Sequence, residues 1–192
     1  MKRISEMENS VKKNWCLRTN VKRKFLNEHY MELKPDFDAK LYNLFEQQKN
    51  RSKHIKGRKI QSIYLNRLLS SVYTESYEAV LGAANSDLYL DENKSEIYWY
   101  PDLVYKNIDK DIKDVEVSLR KEYIHLEEFE IFQLKKILLN DDWKLLQEIF
   151  LYLLKNSVEL IANYSIILEK EIQIFSGDYM DRPEVLEVLR IK

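Results

Sequence analysis

Hydrophobic positions recur along this chain at more than one spacing, and the changes of spacing divide it into elements. Met7, Val11, Trp15, Val21, Phe25 and Leu26 fall on one side of a helical wheel, and Lys12, Lys13, Arg23 and Lys24 on the other. Arg18 and Lys22 intrude on the apolar stripe, and Ser5 and Glu8 have the spacing of a capping box. The pattern predicts a basic amphipathic helix, broken at Thr19-Asn20. Pro35-Asp36 opens a second helix, with Phe37, Leu41, Leu44, Phe45 and Gln48 at helical spacing and an end near Asn50.

Between Ile60 and Tyr100 the pattern changes. Tyrosines and β-branched residues become common, and polar breaks at Asn85-Ser86-Asp87 and Asp91-Glu92-Asn93 bracket Leu88-Tyr89-Leu90. Positions 60–72 fit strand and helix about equally well, and the turn residues decide for a small antiparallel meander that includes Leu88–Leu90 and Ile97–Tyr100. Pro101 and Asp102 then start a helix whose stripe is Val104, Ile108, Ile112, Val115 and Leu119. A helix is expected over Glu127–Leu139, a break at Asn140-Asp141-Asp142, and a very apolar third helix. In that helix Leu146, Ile149, Leu153, Leu160, Tyr164 and Ile167 form a seam wide enough for a core or for half of a dimer interface. Glu171–Phe175 alternates as a strand would and could return to the edge of the meander, and Pro183 permits a last short helix through Val188.

The fold expected is α+β and predominantly helical: a meander over about 60–100 packed against C-terminal helices, with basic N-terminal helices. We read residues 1–192 as one domain, with 1–56 a basic helical extension and 57–192 an acidic α+β body. No apolar run reaches the length of a membrane span and the N-terminus lacks an apolar signal core, so a cytoplasmic protein is expected.

Composition narrows the chemistry. Three glycines in 192 residues are far below the roughly thirteen that average usage would supply, so glycine-loop nucleotide folds are ruled out. One cysteine and three scattered histidines (His29, His54, His125) support neither a disulfide nor a zinc site, and no cofactor is implied. Cys16 has no identifiable base beside it. Pro101-Asp102 with Asp111-Ile112-Lys113 imitates the PD…(D/E)-x-K pattern of metal-dependent nucleases. Those enzymes carry the second element on a strand, whereas here it falls within a helix. Asp87, Asp91 and Glu92 could bind a hard cation, but acidic residues also belong in turns for backbone reasons. A general acid and base can come from any two carboxylates that folding brings together, so the sequence leaves catalysis open while giving no sign of it.

Charge is more informative. Residues 1–60 hold sixteen Lys/Arg and seven Asp/Glu, and residues 61–192 hold fifteen and twenty-five, so a net charge of -1 hides a balance of +9 against -10. Either the basic segment binds an anionic partner or it is neutralised by the acidic remainder. The first alternative nominates Lys12, Lys13, Arg23, Lys24 and the loop residues Arg51, Lys53, Lys56, Arg58 and Lys59 as anion or nucleic-acid ligands. Opposite in character is an aromatic and acidic face formed by Asp87, Tyr89, Asp91, Glu92, Tyr98, Trp99 and Tyr100, suited to a protein partner. The expected function is therefore a non-catalytic protein-binding or inhibitor-type role (immunity, anti-defence or adaptor). The alternative is nucleic-acid binding or processing through the basic segment. A homodimer through residues 146–167 is a further expectation.

Overall fold

A computed structural model describes residues 2–52, 59–181 and 183–191. Its elements, in chain order, are α1 (Lys2–His29), a 3-10 turn (Tyr30–Leu33), α2 (Lys34–Ser52), β1 (Ile60–Arg67), α3 (Ser71–Thr74), β2 (Ala79–Ala84), a second 3-10 turn (Leu88–Leu90), β3 (Ser95–Trp99), α4 (Asp102–Tyr105), α5 (Ile108–Glu122), α6 (Glu128–Asn156), α7 (Val158–Ala162), β4 (Leu168–Asp178) and β5 (Glu184–Arg190). They form two compact units, each assembled from two stretches of chain: residues 1–29 with 102–146, and 30–101 with 147–192.

The first unit is helical. α1 runs without a break at Thr19-Asn20, and it starts at Lys2, so Ser5 and Glu8 lie inside the helix rather than at its cap. Met7, Val11, Trp15 and Leu26 are buried as the stripe predicts, while Val21 and Phe25 are exposed. Asp109 and Asp111 lie in the first turn of α5, with Arg120 and Lys121 in its last, each sign opposite to the helix dipole it faces. The break expected at Asn140-Asp141-Asp142 does not occur: α6 is one continuous helix. Asp142 is wholly buried within it and ion-paired to Arg18 and Lys22, so its carboxylate has no need of the backbone amides it would have capped.

The second unit is built on one five-stranded sheet, in the order β3-β2-β1-β4-β5. β1, β2 and β3 are the expected antiparallel meander. β4 adds to the other side of β1 in parallel, and β5 pairs antiparallel with β4, so the complete sheet is mixed. Leu88–Leu90 is a 3-10 turn rather than a strand, with Leu88 at φ 50°. The segment after Pro183 is strand β5 and not a helix, since the free edge of β4 offers its backbone a hydrogen-bonding partner that local periodicity does not reveal.

One face of the sheet carries helices. Phe37 of α2 packs against Trp99 (ring centroids 5.3 Å apart) and Phe150 of α6 (6.0 Å), and Gln147 donates to the Ser176 hydroxyl at 3.1 Å. Gln48 is buried between Ala83, whose carbonyl accepts its amide, and Ser95, which donates to it. Of the 146–167 stripe, Leu146, Ile149, Phe150, Leu153, Leu154, Ile161 and Tyr164 are buried within the chain, Leu160 and Ile167 are half-buried, and Val158 is exposed. No described helix is long and apolar enough to cross a membrane.

Candidate functional site

Two polar clusters stand out, one in each unit. In the first, the basic helix meets acids. Arg18 grips Asp142 with both terminal nitrogens (2.7 and 2.9 Å) and gives its Nε to Asp111 (2.8 Å), and Lys22 adds a 2.7 Å bond to Asp142. Burial by itself would lower the pKa of Arg18, but the hydrogen bonds and charges of Asp142 and Asp111 hold it above its ordinary value. For Lys22 burial prevails over Asp142, and its pKa is lowered. Arg3 pairs with Glu130 at 3.0 Å and donates to the His125 carbonyl. These bonds satisfy the acids they touch, so the cluster is a clamp between helices.

The second cluster lies on the sheet face away from the helices. Cross-strand pairing places Phe175, Tyr64, Gly82 and Glu96 in one row, and Gly177, Asn66, Val80 and Tyr98 in the next. Tyr64 donates to Glu96 Oε1 at 2.8 Å and Tyr179 to Oε2 at 3.1 Å, and the Lys94 ammonium stands 3.6 Å from the same carboxylate. Tyr89, on the 3-10 turn, meets Tyr64 and Tyr179 edge-to-face, with centroids 5.8 and 6.1 Å away, and Lys94 lies over its ring. Burial first, then the charge of Glu96, raises the pKa of Tyr64 far above the usual phenol range. The same two causes push Tyr179 up to about 12. Tyr89 is raised mainly by burial, with smaller contributions from Glu96, Asp181 and Asp178. All three hydroxyls therefore hold their protons at physiological pH, and those of Tyr64 and Tyr179 donate to Glu96. Asn66 and the Tyr89 hydroxyl are buried here without hydrogen bonds of ordinary geometry, a cost of about 1–3 kcal/mol for each orphaned group.

Of the aromatic and acidic face expected from sequence, three members have internal roles. Trp99 is wholly buried and donates its indole N–H to Asp36 at 2.9 Å. Asp91 is buried and accepts the backbone N–H of Asn85 and of Asn93, both at 2.9 Å, which is turn chemistry and not cation binding. Tyr89 belongs to the tyrosine cluster. Asp87, Glu92, Tyr98 and Tyr100 are exposed, and Tyr98 shares a face with Glu96.

Of the basic candidates, Lys12, Lys13, Lys24, Arg51 and Lys59 are exposed, with Arg51 donating to the Lys94 carbonyl. Arg23 is half-buried in a groove of about 540 Å³ that also holds Asp141 and Lys144. Lys53, Lys56 and Arg58, like His54, lie outside the described residues. Asp111, the second element of the nuclease-like pattern, is taken by Arg18, and among the described residues no group of three or more His, Cys, Asp or Glu is placed to hold a metal ion.

Sequence reasoning missed Tyr64, Asn66, Glu96 and Tyr179. A signal for them existed in the scarce glycines: Gly82 lies beneath the Tyr64 ring and Gly177 pairs with Asn66. A glycine inside a strand marks a close approach of another group. Compared with protein-family models, curated proteins and solved structures, the chain matches none of them.

Proposed function

We propose that this protein works by binding another protein, and that it does so through the tyrosine- and carboxylate-bearing sheet face of the second unit, around Tyr98. The partner this surface suits is a basic segment. The observation that carries the reading is the Tyr98 ring, 60% exposed on edge strand β3 and two residues from Glu96, on the face where Tyr64, Tyr89 and Tyr179 are held together. A tyrosine on a rigid strand offers contact area while losing little rotational freedom, and its ring face attracts lysine and arginine. Asp87 and Glu92 flank the Tyr89 turn and add a negative field that steers a cationic partner. Leu90, 86% exposed on the same turn, adds apolar area.

The test is fluorescence anisotropy of two labelled probes, a lysine- and leucine-containing basic peptide and a single-stranded DNA, each at low and high salt. The peptide is expected to bind, to weaken with salt, and to lose affinity in Tyr98→Ala and in the double variant Asp87→Lys with Glu92→Lys. Reversing Lys12, Lys13 and Lys24 to glutamate should leave peptide binding intact. Binding of DNA alone, abolished by that triple reversal, overturns the reading in favour of a nucleic-acid function.

A further inference from the structure

Asn66 lies in β1, the central strand of the sheet, with no exposed surface, and neither its Oδ1 nor its Nδ2 has a hydrogen bond of ordinary geometry. The Tyr89 hydroxyl is buried in the same condition. Tyr89 packs against the cluster that contains Val80, the cross-strand partner of Asn66, and the Asn66 amide acts on the Tyr89 hydroxyl as a hydrogen-bond donor would. Even if that contact is counted as a hydrogen bond, the amide oxygen and the hydroxyl proton are left without partners. Buried polar groups in folded proteins are nearly always satisfied, so an acceptor and a donor orphaned together call for a cause.

The backbone adds an independent observation. Among the described residues only Glu75, Tyr77, Leu88 and Met180 are non-glycine residues with positive φ. Leu88 (φ 50°) directly precedes Tyr89, and Met180 (φ 64°) directly follows Tyr179. Strained backbone therefore adjoins both rings that cover this face, and strain of this kind clusters at ligand clamps and switch regions.

We propose that Asn66, with Tyr64, Tyr89 and Tyr179, forms a closed binding site for an uncharged planar heterocycle of the adenine type, covered by the segments that carry Tyr89 and Tyr179. An asparagine amide presents a donor and an acceptor side by side, which matches the adjacent acceptor and donor on an adenine edge. Tyrosine rings supply stacking surfaces that accept any base. Gly177, the β4 partner of Asn66, puts no side chain beside the amide. Lys94 is paired with Glu96 and Arg67 with Asp178, so these two cations are already engaged and do not draw in a phosphate, and an uncharged base or nucleoside is favoured. Entry requires Tyr89 to swing away.

Isothermal titration of the full chain with adenine, adenosine and adenosine monophosphate tests this without a protein partner, so its outcome is independent of the protein-binding reading. Adenine and adenosine are expected to bind saturably, and the monophosphate about tenfold more weakly or worse. Asn66→Leu keeps the volume and needs no partners. It should fold at least as stably as the native chain and lose about tenfold or more in affinity, the discrimination one bidentate pair supplies. Asn66→Asp, which removes the donor, should lose affinity similarly and covers the case in which the leucine variant fails to fold. Absence of saturable binding at millimolar adenine and adenosine overturns the proposal, as does native affinity in either folded variant.

Discussion

The ring of Tyr64 occupies the space that a side chain at Gly82 would need: a Cβ built on Gly82 would lie 2.1 Å from the ring carbons and 2.5 Å from the hydroxyl oxygen. The two residues are cross-strand partners in the middle of the sheet, and this absence of bulk lets the Tyr64 hydroxyl reach Glu96 one strand further on. Gly82→Ala should therefore displace the ring and break that bond. We expect a loss of about 1–3 kcal/mol from overpacking, measured as a lower urea midpoint with an unchanged slope. Full stability in the alanine variant would mean that the ring can move freely.

The Asp142 clamp makes a second prediction. Asp142→Ala takes from Lys22 its acid and leaves Arg18 with Asp111 alone, in a largely buried setting, and removing one partner of a buried pair typically costs about 3–5 kcal/mol. Replacing the acid and both bases by Leu and Met residues of similar size should recover much of that loss. Thermal or urea denaturation of the single and multiple variants measures both.

Alkaline pH should destabilise the second unit. The hydroxyls of Tyr64, Tyr89, Tyr164 and Tyr179 are all raised above the ordinary phenol value of 10, Tyr164 by burial and then by its bond to Glu46. Between the unfolded value and the raised folded one, the unfolded chain has released protons that the folded chain still holds. Stability is thus complete below about pH 10 and falls as pH rises toward the folded values, near 12 for Tyr179. Lys22 acts with the opposite sign: its pKa is lowered from 10.5, so the folded chain releases that proton first, and stability gains as pH rises through the interval below 10.5. Urea midpoints at several alkaline pH values should reveal the net decline. Ultraviolet absorbance should show part of the tyrosinate signal appearing only on unfolding. Glu96→Gln should make the decline smaller by lowering Tyr64 and Tyr179 toward 10, because the folded and unfolded values then lie closer together and less stability is lost.

Trp99 offers a spectroscopic check on the helix-covered face. Asp36→Ala removes the acceptor of a buried indole N–H and a favourable charge in the first turn of α2. A hydrogen bond to a charged group contributes about 1.5–3 kcal/mol, so a loss of that order is expected, with a change in tryptophan emission in the folded state.

Much of the architecture could be read locally. The break into strands after residue 59 and the alternation of β4 appear where periodicity put them, whereas the one helix expected from Pro101 is divided into α4 and α5 and the apolar helix expected through Ile167 into the end of α6 and α7. The errors share one cause. Asn140-Asp141-Asp142 has the composition of a cap, but Arg18 and Lys22, over a hundred residues earlier, neutralise Asp142 and let the helix continue. Glu184–Arg190 could be helix or strand on its own, and the open edge of β4 decided it. Trp99 and Asp91 were plausible surface residues until Asp36 and two turn amides claimed them.

The order of apolar and polar residues was enough to establish an α+β chain rich in helix, a meander after residue 59 and a basic first helix, because those properties depend on neighbours a few positions away. Which acids neutralise which bases, which tyrosines gather on Glu96, and that Asn66 is sealed beside Tyr89 depended on strand order and on helices returning to one another. Those contacts join residues far apart in the chain, and no local spacing encodes the partner that a buried charge or amide will meet.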